Sequence, residues 1–184
     1  IPSEEKKQEY YNIISSESDK LAHLANNILD FSRVERGRIR YHFEAMDITA
    51  VVRDTVDRFK TYMLDENRPV ALAMDPCPPV KVDVHAMTQA VMNLLTNAAK
   101  YSPPGTPIEV NVRAASNNII IEVIDRGYGV AAAEQKKIFQ RFYRVSKPYV
   151  SQIEGSGLGL TLVQYTAEAH GGKVLVESEE GRGS

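Results

Sequence analysis

Two asparagines and a lysine, Asn93, Asn97 and Lys100, stand at i, i+4 and i+7 in a segment with helical periodicity. Met87, Val91, Leu94, Leu95 and Ala98 form its apolar stripe, and the three polar residues fall about 130° around from it. Such a face can offer amide oxygens to a hard cation and an ammonium to a phosphate. A solvated face is the plain alternative. Asparagine is a mediocre helix former, however, and Glu or Lys more often fills a solvent face.

Three further groups carry possible chemistry. Asp125, Gly127, Gly129 and Val130 follow an apolar strand pattern. A carboxylate at a strand end can hold a donor-bearing ring such as adenine, and the glycines let backbone approach a flat ligand. Gly155, Ser156, Gly157, Leu158, Gly159 and Leu160 open a helical pattern, which makes a phosphate cradle of free N–H groups at the positive end of a dipole. The glycines at 155, 157 and 159 do not fit the dinucleotide fingerprint, and no P-loop is present. Between these groups, Ile138, Phe139 and Phe142 can anchor a short helix that leaves Arg141, Arg144 and Lys147 near the cradle, where one could reach a terminal phosphate. Ordinary turns and a solvated basic face are the plain alternatives for these three.

The elements that must hold these residues read as an α/β pattern. Residues 4–35 contain no Gly, and Ile14, Leu21, Leu24, Ile28 and Phe31 repeat every 3.5 residues with Glu17 in the seam. That predicts a long helix that packs on partner helices. Beyond Gly37, strands are expected at 39–43, 70–74, 108–112, 118–125 and 173–177. Helices are expected from Asp47 to about residue 63, and at 84–101, 134–142 and 158–169. Residues 116–118 make a hairpin turn. The result is helices layered over a mixed sheet.

Composition fits this reading. The chain has 184 residues, 43% apolar and 25% charged, enough for a core without staples. Its net charge of −2 gives no sign of a nucleic-acid groove. The single cysteine, Cys77, cannot form an intrachain disulfide, which suits a reducing compartment. The first residues lack a signal peptide and an initiating Met, and the last stop without a closing element. The chain therefore reads as a piece of something longer.

Together, the motifs resemble the catalytic ATP-binding domain of sensor histidine kinases, in the superfamily shared with gyrase, chaperone and mismatch-repair ATPases. Asn93-Leu-Leu-Thr-Asn97-Ala-Ala-Lys100-Tyr101 is similar to that family's N box, and Asp125-Arg-Gly127-Tyr-Gly129 to its first glycine box. Phe139-Gln-Arg-Phe142-Tyr143-Arg144 resembles its F box, and Gly155-Ser-Gly157-Leu-Gly159-Leu160 its second glycine box. The stretch from His170 to Ser184 resembles its closing segment. Residues 21–35 resemble the second helix of the dimerisation hairpin. The resemblance implies a two-layer α/β sandwich of the Bergerat type. Residues 1–37 would be the hairpin helix, without its first partner, and residues 38–184 the catalytic domain with its final strand cut short.

It also implies roles. Asn97 would ligate Mg²⁺, with Asn93 supporting the phosphate end and Lys100 contacting phosphate. Tyr101 would pack near the nucleoside, and Asp125 would accept from the adenine amino group. Tyr143 and Arg144 would approach the γ-phosphate, and N–H groups from Gly157 to Leu160 would hold the phosphates. Residues 128–155 would form a mobile lid. The implied partners are a response regulator and a second copy joined through the hairpin helices. The domain would be cytoplasmic, with the parent free to be membrane-anchored. The sequence departs from the family in the missing last edge strand and in its histidines: none of His23, His42, His85 or His170 sits in the acceptor motif, roughly His-Glu-Leu-Arg-Thr-Pro. His170 is expected to end a helix, where a cation suits the dipole. Two other readings remain at this point: an ATP-sensing module without kinase activity, and an ATPase of the same superfamily. The latter wants a catalytic glutamate in the N-box helix.

Overall fold

The computed structural model of the chain describes residues 40–63, 68–145, 153 and 155–184, and before them residues 3, 6–8, 10, 11, 14, 18, 25, 29 and 32. It divides into two compact units, Ile1–Ile39 and Arg40–Ser184. In the first, every described position from residue 6 to residue 32 is helical. Of the heptad seam only Ile14 is among them; Glu17, Leu21, Leu24, Ile28, Phe31 and His23 lie outside the described residues.

The second unit begins with β1 (Glu44–Met46) and α1 (Ile48–Tyr62). Asp47 starts this helix by accepting from the Thr49 N–H at 2.9 Å and its hydroxyl at 2.7 Å. Those bonds hold its carboxyl below the ordinary Asp range. Ile48, Val51, Val52, Val56 and Phe59 share one face, and all are buried. β2 (Val70–Met74), β3 (Val80–Val82) and α2 (Val84–Lys100) follow. α2 is capped by Asp83, whose Oδ1 accepts from the Ala86 N–H at 2.9 Å. β4 (Ile108–Ala115) and β5 (Asn118–Ile124) form the expected hairpin, and Ser116 takes a positive φ of 54° in its turn. α3 (Gly159–Ala169) comes last.

The main sheet runs β2-β4-β5, with β2 parallel to β4 and β5 antiparallel to it. Reaching a parallel neighbour requires a crossover, and α2 lies on that path. Alternate residues Ile108, Val110 and Val112 of β4 are buried against Val91, Leu95 and Ala98 of α2 and against the apolar face of α1. This is the expected helical layer on a mixed sheet. β1 and β3 pair separately, with Glu44 opposite Val82.

Four local expectations are corrected. The first strand is Glu44–Met46 rather than 39–43. Among the described residues 40–43, the His42 N–H donates to Asp83 Oδ2 at 2.7 Å, and the Tyr41 and Phe43 rings pack on His170. Side chains therefore hold this segment in place of a ladder. β3 was not expected at all, being three residues beside a proline-rich loop. Residues 134–142 form successive turns rather than a helix, with bonds such as Lys137 N–H to Glu134 and Gln140 N–H to Lys137. Residues 173–177 alternate in exposure, but among the described residues no strand pairs with them. The nearby pairing is an isolated bridge between Glu179 and Gly183.

His170 does end α3, as its C-cap. Its Nε2 accepts from the Asp83 N–H at 3.0 Å, while Nδ1 faces the Thr166 carbonyl at 2.7 Å.

Candidate functional site

α2 is the spine of the site. Its polar face opens progressively along the helix: Asn93 is 2% exposed, Asn97 is half-buried and Lys100 is exposed. The solvated-face alternative therefore fails at Asn93. That side chain is buried because α3 packs on α2 at this level, and a Cβ added to Gly159 would sit 3.5 Å from Asn93 Oδ1. The N box thus meets the second glycine box. Leu158 supplies no side-chain cap to α3; nearby, Ser156 Oγ accepts from the Leu158 N–H at 3.3 Å. An uncapped helix start leaves N–H groups for an anion.

At its C-terminal end, α2 meets the first glycine box. The Tyr101 carbonyl accepts from the Tyr128 N–H at 3.0 Å. Asp125 Oδ1 accepts from the Gly127 N–H at 2.7 Å and the Ser102 hydroxyl at 3.5 Å. Gly127 is wedged so tightly that a Cβ there would lie 2.2 Å from the Tyr101 carbonyl oxygen. Gly129, at φ +63°, would meet the Glu179 carbonyl at 2.0 Å. Only glycine fits either place.

The closing segment completes this end. The Asp125 N–H donates to the Ser184 carbonyl at 2.8 Å, and the Val130 N–H to Ser178 Oγ at 2.8 Å. Gln135 Nε2 donates to the carbonyls of both Val130 and Ser178. An open cavity of about 400 Å³ lies here, lined by Ile124, Asp125, Ser178, Arg182 and Ser184 among others. A second, of about 350 Å³, lies between Phe139 and Tyr165. Neither takes in Asn93, Asn97 or Lys100.

The F-box residues are tied to the glycine loop. The Phe142 N–H donates to the Gly157 carbonyl at 3.0 Å, and Thr161 Oγ1 to the Phe139 carbonyl at 2.9 Å. Phe142 is exposed and holds a positive φ of 60°, a strained conformation for a bulky residue. Arg144 donates to the Ile153 carbonyl and is half-buried, while Tyr143 is half-buried beside it. Arg141 turns away to the Tyr165 hydroxyl at 2.9 Å. Lys147, with most of residues 146–154, lies outside the described residues.

Ser102, Ser178 and Ser184 were not anticipated as parts of the site. The glycine pair at 181 and 183 beside Ser184 was the available signal, since Gly183 at φ +100° would put a Cβ 2.1 Å from the Asp125 carbonyl.

Burial raises the Asp125 pKa above its ordinary 3.8, opposed by the backbone N–H groups of Gly127 and Ser184 and by the Ser102 hydroxyl. A raised carboxyl pKa means that the folded protein keeps a proton the unfolded chain gives up. This contribution is present below the unfolded value and is lost as pH rises through the folded one. Without ligand, Asp125 is therefore expected to lower stability as pH climbs above about 3.8. Urea midpoints of the wild type and Asp125→Asn across that range check this. Parallel curves would show that Asp125 does not titrate as described.

Residues 82–184 match the family described as histidine kinase-, DNA gyrase B-, and HSP90-like ATPase. The sensor-like histidine kinase SenX3 of Mycolicibacterium smegmatis is 33% identical over 171 residues, covering 92% of this chain and 44% of its own length. The sensor histidine kinase WalK of Bacillus subtilis is 29% identical over 174 residues, covering 94% of this chain and 28% of its own. The chain thus spans less than half the length of these curated relatives. Among solved structures, the mycobacterial sensor histidine kinase MprB gives a TM-score of 0.61 at 30% identity, over 71% of this chain and 81% of that one. Full-length ShkA, solved in complex with AMPPNP, gives 0.76 at 27% identity, over 97% of this chain and 37% of that one. No helix among the described residues is long and apolar enough to cross a membrane.

Proposed function

Because this chain belongs to the family of histidine kinase-, DNA gyrase B-, and HSP90-like ATPases, we propose that it is the Mg-ATP-binding catalytic core of a sensor histidine kinase. The observation that carries the proposal is the double engagement of α2. Its middle lays Asn93 against the uncapped start of α3, and its C-terminal end clips Tyr101 and Ser102 to the Asp125–Gly127 turn. A triphosphate suits the first place and a purine the second.

In this reading the Asp125 carboxylate accepts from the purine amino group, and Gly127 and Gly129 keep side chains off the flat ring, with Tyr101 near the nucleoside. N–H groups of residues 157–160 hold the phosphates. Lys100 and Arg144 supply positive charge at the transferred phosphoryl group, with Tyr143 beside it. No group of three or more His, Cys, Asp or Glu that could hold a metal ion occurs among the described residues. A neutral amide oxygen at Asn97 suits a hard cation that keeps most of its shell from phosphate and water. Mg²⁺ bound there would offset charge on the phosphates. The acceptor would be a histidine of the first hairpin helix, outside this sequence. From it the phosphoryl group would pass to an aspartate of a response regulator, in a dimer formed through the hairpins.

Kinase chemistry is favoured over a hydrolytic ATPase by α2 itself. Val84–Lys100 contains no Glu or Asp to activate water, and its cap, Asp83, is occupied by the Ala86 and His42 N–H groups.

Calorimetry with ATP, in Mg²⁺ and in chelator, tests the site: saturable, Mg-enhanced binding is expected, and absence of binding overturns it. Asn97→Ala is expected to weaken binding about tenfold in Mg²⁺, as loss of one metal-directed oxygen would. In chelator it should bind as the wild type does. Equal losses in both conditions would remove Asn97 as the metal ligand.

A further inference from the structure

Arg68 lies just before β2 and is 8% exposed, an unusual place for a guanidinium. Its Nη1 donates to the Pro103 carbonyl at 3.2 Å, the Thr106 carbonyl at 3.1 Å and Thr106 Oγ1 at 3.0 Å. Its Nη2 donates to the Ala99 carbonyl at 3.2 Å and the Ser102 carbonyl at 3.5 Å. One side chain thus gathers four carbonyls from the last turn of α2 and the loop beyond it. That of Ala99 is one of the carbonyls that the end of α2 leaves without a helical partner, at the negative end of its dipole, and the other three belong to the loop. A planar fork of donors suits them in a way that an ammonium on a flexible stem does not.

One of the residues so gathered, Ser102, belongs to the proposed base end of the site. Ser102 gives its hydroxyl to Asp125, and the neighbouring Tyr101 carbonyl takes the Tyr128 N–H. Gly127 is seated against both. Arg68 is anchored on the sheet side too, because the carbonyl of the next residue, Pro69, accepts from the Ile108 N–H at 2.9 Å.

We propose that Arg68 is a positioning residue for nucleotide recognition: by fixing the α2 C-terminus and the loop after it, it sets where the Asp125 carboxylate stands and so how well the site distinguishes an amino-purine from an oxo-purine. The inference rests on the reading of Asp125 as the acceptor for the purine amino group. Arg68 itself touches no part of the nucleotide in this scheme; it acts through Ser102, Tyr101 and Gly127.

The experiment measures the affinity of the full chain for ATP and for inosine triphosphate, which carries a 6-oxo group in place of the amino group. The wild type is expected to prefer ATP by about tenfold, the worth of one hydrogen bond to a charged group. Arg68→Met should bring that ratio toward unity, and Arg68→Lys, which keeps the charge but not the fork, should fall between. Arg68→Lys also serves if the Met variant does not fold, and circular dichroism establishes folding before each titration. A purely structural Arg68 would lower thermal stability and scale both affinities together. An unchanged ratio in folded Arg68→Lys and Arg68→Met therefore overturns the proposal. A wild type that binds both nucleotides equally well overturns the Asp125 reading and the inference with it, whereas discrimination in the wild type with no effect at Arg68 overturns the inference alone.

Discussion

Gly127→Ala is expected to cost about a hundredfold in ATP affinity, the scale on which a misplacement of about 1 Å acts in a tightly oriented site. The new Cβ would lie 2.2 Å from the Tyr101 carbonyl oxygen and 2.8 Å from both Asp125 Oδ1 and Ser102 Oγ. The first of these cannot swing away. It is backbone, at the C-cap of α2, and is already committed to the Tyr128 N–H. Relief therefore requires α2 and the end of β5 to separate, and with them the two halves of the site. Overpacking of this kind costs about 1–3 kcal/mol or more. In a chain of this size the melting temperature should fall by about 2–4 °C for each kcal/mol. Gly155→Ala is the control for stability. Position 155 has nothing within 4 Å of an added Cβ and no positive φ, so Tm should not move. Calorimetric affinity and thermal melts of the two variants check the contrast; near wild-type ATP affinity in Gly127→Ala would show that α2 and Asp125 need not stay in register.

Asp125→Ala is the second large effect. Removing the acceptor strands the Gly127 N–H and the Ser102 hydroxyl as well as the proposed purine amino group. A hydrogen bond to a charged group is worth about 1.5–3 kcal/mol, so ATP affinity should fall between about tenfold and a hundredfold. The loss should be the same for ADP, because the proposal assigns the carboxylate to the base end. Inosine triphosphate should lose less than either. A loss confined to ATP would place Asp125 at the phosphates instead and undo the assignment of the two ends.

How much of this could be read from residues alone depends on where each partner lies. α1 and α2 were legible because periodicity and a bounded length coincide in each, with Asp47 as a capping residue ahead of Ile48–Tyr62; the Asp83 cap of Val84–Lys100 emerged only with the structure. The β4–β5 hairpin was legible because its strands are joined by their own turn. Residues 173–177 show the limit. Alternation of Val174 and Val176 with exposed neighbours announces two faces, but a strand also needs a ladder partner. Residues 39–43 alternate too, yet His42 spends its N–H on a carboxylate brought from α2. The same limit applies within the site. Asn93 was placed on a polar face of one helix, correctly as an angle, but its burial comes from α3 and no periodicity in α2 contains that fact. Ser102 and Ser184 are ordinary serines until the fold brings them to Asp125. Arg68 had no local signal at all, since its acceptors lie 31 or more positions away.

The contacts between Asp125–Val130 and the closing segment also impose an order in time. A ribosome that has just added Val130 has 54 residues still to add before Ser184, which is about 3–11 s at about 5–20 residues per second. During that interval β2, β4, β5 and the two helices over them are already in existence, while the carbonyl of Ser184 and the hydroxyl of Ser178 are not. A nascent chain can therefore bury its core before it owns the proposed base end of its nucleotide site.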